Sequence, residues 1–558
     1  MKLNNLIILM FVNNISIFSQ VQEWEWAISA GSNRMDITND IIIDTYGNIY
    51  INGYTNDTIT FDSITLYNSG NFIAKYTSSG QILWAKNSSN VINPYVDAAA
   101  VAIDINNNVF VTGVYYGDTS IFGNDTLLGK GICIFKYNFD GNLTWTKSAG
   151  NADYTEGCGS VSITKITTDD AGNLYLIGFL DGISYPTTLS IGNINLTSMN
   201  QSEDIFIAKY DSSGSALWAK TICGNGGSEA DHGTSITTDI NNNICITGYF
   251  NSSEISFDSA ILVNSGSNDI FVAKYDLSGN LLWAKSAGGT GGDYSMAIGT
   301  DSIGNIYITG SFRSPKIIFA DDTLTHTSTN GCDLFIAKYD SSGNLLWAKS
   351  ATCYGDDECS DISIDSVGNA YITGYFVSSI VFDSITLTSP LATFIVKYDF
   401  LGNVLWAKTT DGGNSSNGGT SVADATNGDV YISGFFDHSE GAVIFGNDTL
   451  TNHIYPDFVL NYTDIFLAKL SNSGAYIHET EQKNSITVYP NPSNSNFMIS
   501  GLPASGQIQI INSMGQTVKK ADIGSHAAMS FTLTESGIYF IRVITGNESV
   551  TKKVVVCR

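Results

Sequence analysis

Seven acidic or imidazole side chains with potential for chemistry lie in short, mostly glycine-rich segments of the chain. They are Asp153, Glu156, Asp231, His232, Asp293, Asp356 and Asp357. Carboxylates clustered on loops can bind Ca²⁺, and a pair of carboxylates can hydrolyse a glycosidic bond. These residues form the candidate ligand-binding set, and the alternative is a solvated acidic rim without a ligand.

The segments recur because the chain contains a repeated sequence. An Asp-turn-strand such as 301–310 is followed by a hairpin such as 335–347, and a tryptophan ends each hairpin. The intervals between these tryptophans are 58, 61, 73, 65, 64 and 59 residues. The repeat tryptophans are Trp26, Trp84, Trp145, Trp218, Trp283, Trp347 and Trp406. A period of this size indicates repeated supersecondary units, and we expect each tryptophan to pack between neighbouring units rather than to stack on a sugar.

Each repeat is predicted to form four short strands, A to D. A Gly or Asn able to adopt positive φ lies in each A–B turn, and a Gly lies in each C–D turn. Strand D occurs alone at 24–28 before the first complete repeat, and the seventh repeat ends with strand C at 465–469. The N-terminal strand can therefore complete the last blade and close the ring. We predict an all-β chain with a seven-bladed β-propeller over 20–476.

The antiparallel order of the strands divides the predicted propeller into two faces. One face, here called the turn face, carries the short A–B and C–D turns. The other, the loop face, carries the D–A loops and an extra hairpin inserted between strands B and C of every repeat. Insertions in each repeat often mark a binding face, so the loop face is the predicted binding face.

Two further repeated residue types have a structural and a functional interpretation. Turn aspartates could bind Ca²⁺ or, as we favour, accept hydrogen bonds from their own turn. They are Asp44, Asp104, Asp169, Asp239, Asp301 and Asp365. A lysine recurs in strand C, and we expect its stem to cover apolar surface while its ammonium reaches water or a carboxylate.

Charge restricts the partners. The net charge of −27 combines −31 in 20–483, +3 in 484–558 and +1 from Lys2. Such a surface repels nucleic acid and anionic membranes but suits cations or a neutral polymer. A sialidase-like site is disfavoured, because it needs clustered arginines and 20–483 contains only Arg34 and Arg313.

The N-terminus is typical of a signal peptide, with Lys2 followed by an interrupted apolar run, and we assign it to 1–19. That run is too short to span a bilayer, and no other segment qualifies. Export permits disulfides. Cys353 and Cys359 bracket a short acidic loop. They could form a local disulfide or stay as two free thiols, and the sequence does not favour either alternative.

The repeats resemble the SBBP bacterial β-propeller family through strings such as G-N-x-Y-x-T-G at 304–310 and Y-D-x-x-G-N-x-x-W at 339–347. That resemblance implies a seven-bladed propeller and no particular chemistry.

The C-terminus resembles the type A C-terminal sorting domain of the Bacteroidetes type IX secretion system. The residues that carry the resemblance are Tyr489, Pro490, Asn491, Pro492, Gly515, Gly537, Tyr539, Lys552 and Lys553. Alternating short strands independently predict a small β-sandwich at 485–558, after a linker at 477–484. The resemblance implies the secretion machinery as a partner, and release or attachment at the outer cell surface.

Together these patterns predict a secreted or surface-attached monomer that binds a polysaccharide or a surface protein on its loop face without catalysis. The alternatives are a propeller hydrolase or lyase using loop carboxylates, and a purely structural surface component. We expect no organic cofactor, and calcium is the ion that the loop carboxylates could bind.

Overall fold

The computed structural model describes most of the chain between residues 22 and 556. The described ranges are 22–67, 69–87, 95–116, 119–122, 125–128, 130–151, 161–182, 187–198, 202–225, 230–328, 331–411, 417–437, 442–451, 463–471, 486–489, 493, 495–503, 505–512, 517–524, 528–534, 537–545 and 548–556. Every regular element within them is a β-strand. The predicted signal peptide at 1–19 lies outside the described residues. The chain divides into an N-terminal unit, Met1–Gly474, and a C-terminal unit, Ala475–Arg558.

Within the described residues, the N-terminal unit begins with β1 (Glu23–Ala30) and continues as seven repeats. Repeat 1 contains β2 (Asp36–Ile43), β3 (Ile49–Thr55), β4 (Ile59–Phe61), β5 (Ile64–Leu66), β6 (Gly70–Tyr76) and β7 (Ile82–Asn87). Repeat 2 contains β8 (Tyr95–Ile103), β9 (Val109–Tyr116), β10 (Thr119–Phe122), β11 (Asp125–Leu128), β12 (Lys130–Tyr137) and β13 (Leu143–Asn151). Repeat 3 contains β14 (Val161–Thr168), β15 (Leu174–Asp181), β16 (Thr188–Ile191), β17 (Ile194–Thr197), β18 (Glu203–Tyr210) and β19 (Ala216–Gly224).

Repeats 4 to 7 continue the pattern. Repeat 4 contains β20 (Asp231–Thr238), β21 (Ile244–Phe250), β22 (Glu254–Phe257), β23 (Ala260–Val263), β24 (Asp269–Tyr275) and β25 (Leu281–Ala287). Repeat 5 contains β26 (Asp293–Thr300), β27 (Ile306–Phe312), β28 (Lys316–Phe319), β29 (Asp322–Thr325), β30 (Asp333–Tyr339) and β31 (Leu345–Cys353). Repeat 6 contains β32 (Glu358–Ile364), β33 (Ala370–Phe382), β34 (Ile385–Tyr398) and β35 (Val404–Thr409). Repeat 7 contains β36 (Asn417–Asp424), β37 (Val430–Asp437), β38 (Val443–Phe445), β39 (Asp448–Leu450) and β40 (Thr463–Ser471).

The sheet pairing is that of a β-propeller. In repeat 1 the order β2-β3-β6-β7 gives strands A, B, C and D, and the same antiparallel order recurs in the described residues of every repeat. The last sheet is β36-β37-β40-β1, so the N-terminal strand supplies strand D of repeat 7, as predicted. Strands A of successive repeats are neighbours, and β36 is also a neighbour of β2. The ring is therefore closed.

The turns have the predicted conformations. The A–B turn residues have positive φ in all seven repeats: Gly47, Asn107, Gly172, Asn242, Gly304, Gly368 and Gly428. The C–D turn glycines also have positive φ wherever the structure describes them: Gly80, Gly141, Gly214, Gly279, Gly343 and Gly402.

The inserted hairpins connect neighbouring repeats, which the sequence did not predict. In repeat 4 the hairpin strand β22 pairs with β19, the strand D of repeat 3, through Cys223↔Ser256. The same contact to the preceding strand D joins Gly288 to Ile318 and Asp411 to Ile444. Each such hairpin therefore extends the sheet of its predecessor, and the apolar residues on its inner face enter the shared core.

On the turn face, each described repeat tryptophan except Trp406 lies against the C–D turn glycine of the following repeat, as in the pair Trp283 and Gly343. Trp283 Nε1 also donates a hydrogen bond of 3.2 Å to Ser341 O in that turn. The strand C lysine Lys274 donates to the same carbonyl at 3.1 Å and pairs with the turn aspartate Asp239 at 2.7 Å. Both side chains therefore contact the neighbouring repeat.

The turn aspartates accept hydrogen bonds from their own turns. Asp301 Oδ1 accepts from the backbone N–H groups of Ile303 and Asn305 at 3.1 and 2.9 Å, and its Oδ2 accepts from Asn305 Nδ2 at 2.7 Å. Lys338 lies 3.4 Å from the same carboxylate. The carboxylate oxygens are therefore occupied by the turn and the buried lysine, which agrees with the structural interpretation.

A charged cluster lies where strands A meet. Lys165 Nζ lies 2.8 Å from Asp40 Oδ1 and 3.7 Å from Asp361 Oδ1, and Ser421 Oγ lies within hydrogen-bonding distance of both carboxylates. These residues follow the bulge in strand A of repeats 3, 1, 6 and 7. Although burial opposes its charge, the two carboxylates raise the pKa of Lys165. The cluster thereby links repeats that are not neighbours in sequence.

The C-terminal unit is a separate two-sheet structure. Its strands are β41 (Thr487–Tyr489), β42 (Asn496–Ser500), β43 (Gln507–Asn512), β44 (Thr517–Asp522), β45 (Ala528–Thr532), β46 (Gly537–Thr545) and β47 (Glu548–Val556). The sheets β41-β42-β45 and β44-β43-β46-β47 enclose one apolar core, in which Phe497 and Ile499 of the first meet Ile541 and Val554 of the second. This matches the predicted sandwich.

The local disulfide is absent. Cys353 and Cys359 are free and almost fully buried, in β31 and β32 of successive repeats, where both contribute to one apolar core. Burial raises the pKa of Cys359 to about 12. Both thiols therefore behave as small apolar side chains.

Candidate functional site

Three of the predicted loop acids prove to be buried at the beginning of strand A or directly before it. Asp231, Asp293 and Asp357 are at most 2% exposed. Asp231 accepts hydrogen bonds from the backbone N–H and the hydroxyl of Ser252 at 3.1 and 2.7 Å. Asp293 makes the same pair of contacts with Ser314 at 3.2 and 2.7 Å. Each carboxylate therefore holds the segment after strand B in place.

A second buried aspartate, at the beginning of strand C of the preceding repeat, accompanies each of them. The pairs, which include Asp36 of repeat 1, are Asp464 with Asp36, Asp204 with Asp231, Asp269 with Asp293, and Asp333 with Asp357. Burial, assisted by the paired acid, raises the pKa of Asp36 to about 7 and the pKa values of Asp231, Asp293 and Asp357 to about 6. These carboxyls lie within the packed interface between repeats rather than on a solvated rim.

Asp356 differs from these three aspartates. Asp356 is exposed and pairs with the exposed Arg313 at 2.9 Å. An exposed pair of this kind adds little stability. Both side chains are accessible to a ligand because they are exposed. Asp153 and Glu156 lie outside the described residues.

His232 is the predicted residue with the most distinctive surroundings. Its Nε2 lies 2.5 Å from Glu203 Oε2, and its Nδ1 lies 2.8 Å from the hydroxyl of Tyr249. The side chains of His232 and Glu203 are 22% and 16% exposed. Burial raises the pKa of Tyr249 to about 12. A carboxylate, an imidazole and a phenol thus form one hydrogen-bonded chain at the loop-face ends of repeats 3 and 4.

Four rings form a continuous row that includes His232 and Tyr249 of this hydrogen-bonded group. Phe179 stacks on His232 with ring centroids 4.1 Å apart and planes 5° apart. His232 lies 5.0 Å from Tyr249, which meets Tyr294 edge-on at 4.9 Å. All four side chains are partly exposed. We call Phe179, His232, Tyr249 and Tyr294 the aromatic row; it crosses repeats 3, 4 and 5.

A groove of about 630 Å³ lies beyond the end of the row, between repeats 4 and 5. Its lining includes Ser265, Asp269, Ser286, Gly288, Thr290 and Lys316. Asn268, directly before Asp269, donates a hydrogen bond of 2.9 Å to Tyr294 Oη and so joins the row to the groove. Asp269 is 1% exposed, and its carboxylate accepts a hydrogen bond of 2.8 Å from the backbone N–H of Ser265.

The described residues contain no group of three or more His, Cys, Asp or Glu side chains that could hold a metal ion. Calcium binding on the D–A loops stays a prediction.

The sequence did not indicate Phe179, Glu203, Tyr249, Tyr294 or Asp269 as site residues. The signal that could have found two of the rings, Phe179 and Tyr249, is the repeat alignment. The strand B position after the Gly of the T-G motif is aromatic in five repeats, at Tyr54, Phe179, Tyr249, Tyr375 and Phe435. His232 and Tyr294 occupy the facing position in strand A.

The residues of the predicted sorting signal lie at several places in the C-terminal unit. Tyr489 is exposed at the end of β41, whereas Tyr539 is buried in β46, which begins at Gly537. Lys552 and Lys553 are consecutive residues of β47. Pro490, Asn491, Pro492 and Gly515 lie outside the described residues.

Curated relatives of the chain are distant. A WD repeat-containing protein of Acanthamoeba polyphaga mimivirus, itself uncharacterised, is 26% identical over 79% of this chain and 38% of its own length. The regulatory protein FlaEY of Caulobacter vibrioides is 22% identical over 49% of this chain and 30% of its own length. The chain thus spans about a third of the length of the relatives it matches.

Solved structures with a similar course of the chain are more distant still. PorZ, a surface component of the type IX secretion system of Porphyromonas gingivalis, covers 95% of this chain and all of its own at 9% identity and a TM-score of 0.22. The polysaccharide lyase Uly1 covers 81% of this chain and all of its own at 9% identity and a TM-score of 0.39. These values support no conclusion about activity.

The C-terminal unit has a specific match. Residues 487–557 match the family described as the secretion system C-terminal sorting domain. No helix in the described part of the chain has the length and apolar character to cross a membrane. The chain therefore carries a type IX secretion sorting domain, which directs it to the cell surface or into the medium.

Proposed function

We propose that this exported protein is a non-catalytic binding protein that holds a hydroxyl-rich polymer, a polysaccharide, along the loop face of repeats 3 to 5. The aromatic row carries the proposal. Partly exposed rings with polar groups beside them are typical of ligand sites, since the rings supply contact area and the polar groups fix orientation. The sorting domain would place this face outside the cell.

The net charge of the N-terminal unit restricts the kind of polymer that it can bind. The −31 carried by 20–483 disfavours a polyanion. The hydroxyls of Ser265, Ser286 and Thr290 in the groove suit sugar hydroxyls. A neutral glycan that stacks on the row and enters the groove satisfies both features.

The test is retention of the full chain on a polysaccharide array, with calcium and with chelator, together with detection of released sugars. We expect retention without release, and loss of retention in Phe179→Ala and Tyr249→Ala. Tyr375→Ala is the matched control, because Tyr375 occupies the position of Tyr249 in repeat 6 and bonds Glu358 at 3.0 Å, outside the row. Equal retention by all variants would contradict the site.

The hydrogen-bonded side chains of Glu203, His232 and Tyr249 favour one alternative function, that of a lyase that abstracts a proton from a uronic acid unit. A phenol next to an imidazole that is oriented by a carboxylate is an arrangement that general acid–base catalysis uses. The acidic surface opposes uronic acid polymers, so binding is the better-supported function. Released products with a new carbon–carbon double bond, detected by ultraviolet absorbance and abolished by Tyr249→Phe, would establish the lyase.

A purely structural surface role is the remaining alternative. If the native chain is not retained on the array and releases no sugars, the structural role would be favoured.

A further inference from the structure

The turn face carries a ring of exposed apolar side chains. They occupy the A–B turns of five repeats, at Tyr46, Ile105, Ile240, Ile303 and Val367, and each is 60–75% exposed. Isolated exposed apolar residues are ordinary on a protein surface, but a clustered set marks an interaction site. We call these five residues the apolar ring.

These side chains lie near one another because the A–B turns of neighbouring repeats touch, and only the turns of repeats 3 and 7 contribute no large apolar side chain. Thr45 Oγ1 donates to Asn107 Oδ1 at 3.2 Å between repeats 1 and 2. Ser302 Oγ donates to the carbonyl of Ser366 at 3.0 Å between repeats 5 and 6. Since strands A are neighbours around the whole ring, their turns surround its axis. The apolar side chains therefore form the centre of this face.

Aspartates from the C–D turns surround that centre. They are Asp140, Asp211, Asp276, Asp340 and Asp399. Hydrogen bonds from Ser213 and Asn280 lower the pKa of Asp211 and of Asp276, so both stay ionised. The turn segments of this face contain no Lys or Arg, and a partly exposed cation that reaches one of them is Lys220 of strand D, which donates to the carbonyl of Gly279. The segments are 44–48, 77–81, 104–108, 138–142, 169–173, 211–215, 239–243, 276–280, 301–305, 340–344, 365–369, 399–403 and 425–429.

We propose that the turn face is a docking surface for a protein whose contact surface is apolar at its centre and carries Lys or Arg at its rim. Interfaces have this anatomy, an apolar core within a polar rim, and charge complementarity sets the sign of the partner's rim. A second copy of the chain fits poorly, because two acidic rims would face each other. This surface lies opposite the aromatic row, so its occupation does not depend on glycan binding.

The experiment uses the full chain and two labelled amphipathic peptides, one of Leu and Lys and one of Leu and Glu, in fluorescence anisotropy. The ring variant combines Ile105→Ser, Ile240→Ser, Ile303→Ser and Val367→Ser. The control variant combines Leu217→Ser, Leu282→Ser, Leu346→Ser and Leu405→Ser, four exposed leucines of strands D. Both variants keep the native charge, so non-specific attraction of the basic peptide is equal in both.

We expect the Leu/Lys peptide to bind the native chain and the control variant alike, and the ring variant about tenfold more weakly or worse. The Leu/Glu peptide should not bind. Equal affinity for the ring and control variants would overturn the proposal, as would failure of the native chain to bind the Leu/Lys peptide. Sedimentation that shows a native dimer lost in the ring variant would instead assign the surface to a second copy. Circular dichroism confirms that both variants are folded.

Discussion

A tryptophan from one repeat and a glycine from the next make the contact that recurs around the turn face. Gly343 has φ of 81°, and a Cβ added to it would lie 2.8 Å from Trp283 Cδ2. Gly47 has the same φ of 81° in an A–B turn, but nothing lies within 4 Å of an added Cβ there. The two glycines share one backbone requirement and differ only in the neighbouring ring.

Replacing each by alanine separates these effects. We expect Gly47→Ala to lower the free energy of unfolding by about 1 kcal/mol because of the positive φ. Gly343→Ala should cost about 1–3 kcal/mol more, because the indole must also move. Urea denaturation of both variants measures the difference. Equal losses would show that the tryptophan contributes no packing at this turn.

The buried aspartates make stability depend on pH. Burial raises the pKa of Asp293 to about 6 in the folded state, above the value near 4 of an unfolded chain. The folded state therefore binds more protons than the unfolded state between these values, and stability rises as pH falls from about 8 to about 5. The magnitude is about 1–3 kcal/mol for one such carboxyl.

The matched variant is Asp293→Asn, since repeat 7 carries Asn417 at the same strand A position. This variant should be more stable than the native chain at pH 8 and should lose part of the pH dependence. Denaturation curves at both pH values give the comparison. A native chain that is more stable at pH 8 than at pH 5 would show that these carboxyls are not protonated on folding.

The inserted hairpin is the element that ties one repeat to its predecessor. In β28, Ile317 and Phe319 are fully buried, whereas Ile318 is 52% exposed. Ile318 N–H donates a hydrogen bond of 3.0 Å to Gly288 O of repeat 4. The backbone thus makes the sheet contact while the alternate side chains fill the core.

Two neighbouring isoleucines test this arrangement. Ile317→Ala should lower the free energy of unfolding by about 2–4 kcal/mol, because it leaves a cavity between the repeats. Ile318→Ala should change it by less than about 0.5 kcal/mol. Thermal and urea denaturation of the two variants provide the measurement, and similar losses would mean that the hairpin does not present one face to the core.

The elements were more predictable than the site. The turn glycines, the hairpins and the role of the N-terminal strand follow from patterns that are local or strictly periodic. The pairing of each hairpin with the preceding strand D does not, because a hairpin's own pattern does not specify which edge it meets. Asp293 and Asp231 were misleading for a related reason: an aspartate after a glycine-rich loop has the same local sequence whether it is buried or solvated.

The periodicity of those aspartates was itself a clue. Asp36, Asp231, Asp293 and Asn417 share one repeat position, as the structural lysines do, whereas Glu203 and His232 break the pattern of their repeats.

Lys165, Asp40 and Asp361 are unpredictable in a different way. They are far apart in sequence, the residue type at their position varies between repeats, and only ring closure brings them together.

At the scale of the whole molecule, stability depends on closure of the ring by β1. This strand pairs with β40 from Glu23↔Ser471 to Ala30↔Ile465 and places Trp26 against Gly80 of repeat 1. Without it, repeat 7 has three strands, and β40 presents unpaired backbone groups at an edge. The strand therefore joins the beginning of the N-terminal unit to its last repeat.

A chain that begins at residue 32 should be less stable than one that begins at residue 22 by about 3–5 kcal/mol, because the buried side chains of β1 are lost. It should also self-associate through the open edge of β40. Differential scanning calorimetry and sedimentation measure the two effects. A synthetic peptide of residues 22–31 should restore the melting temperature, whereas a peptide with Trp26→Ala should restore less of it. An unchanged melting temperature in the truncated chain would mean that the ring closes without β1, through contacts between strands A alone.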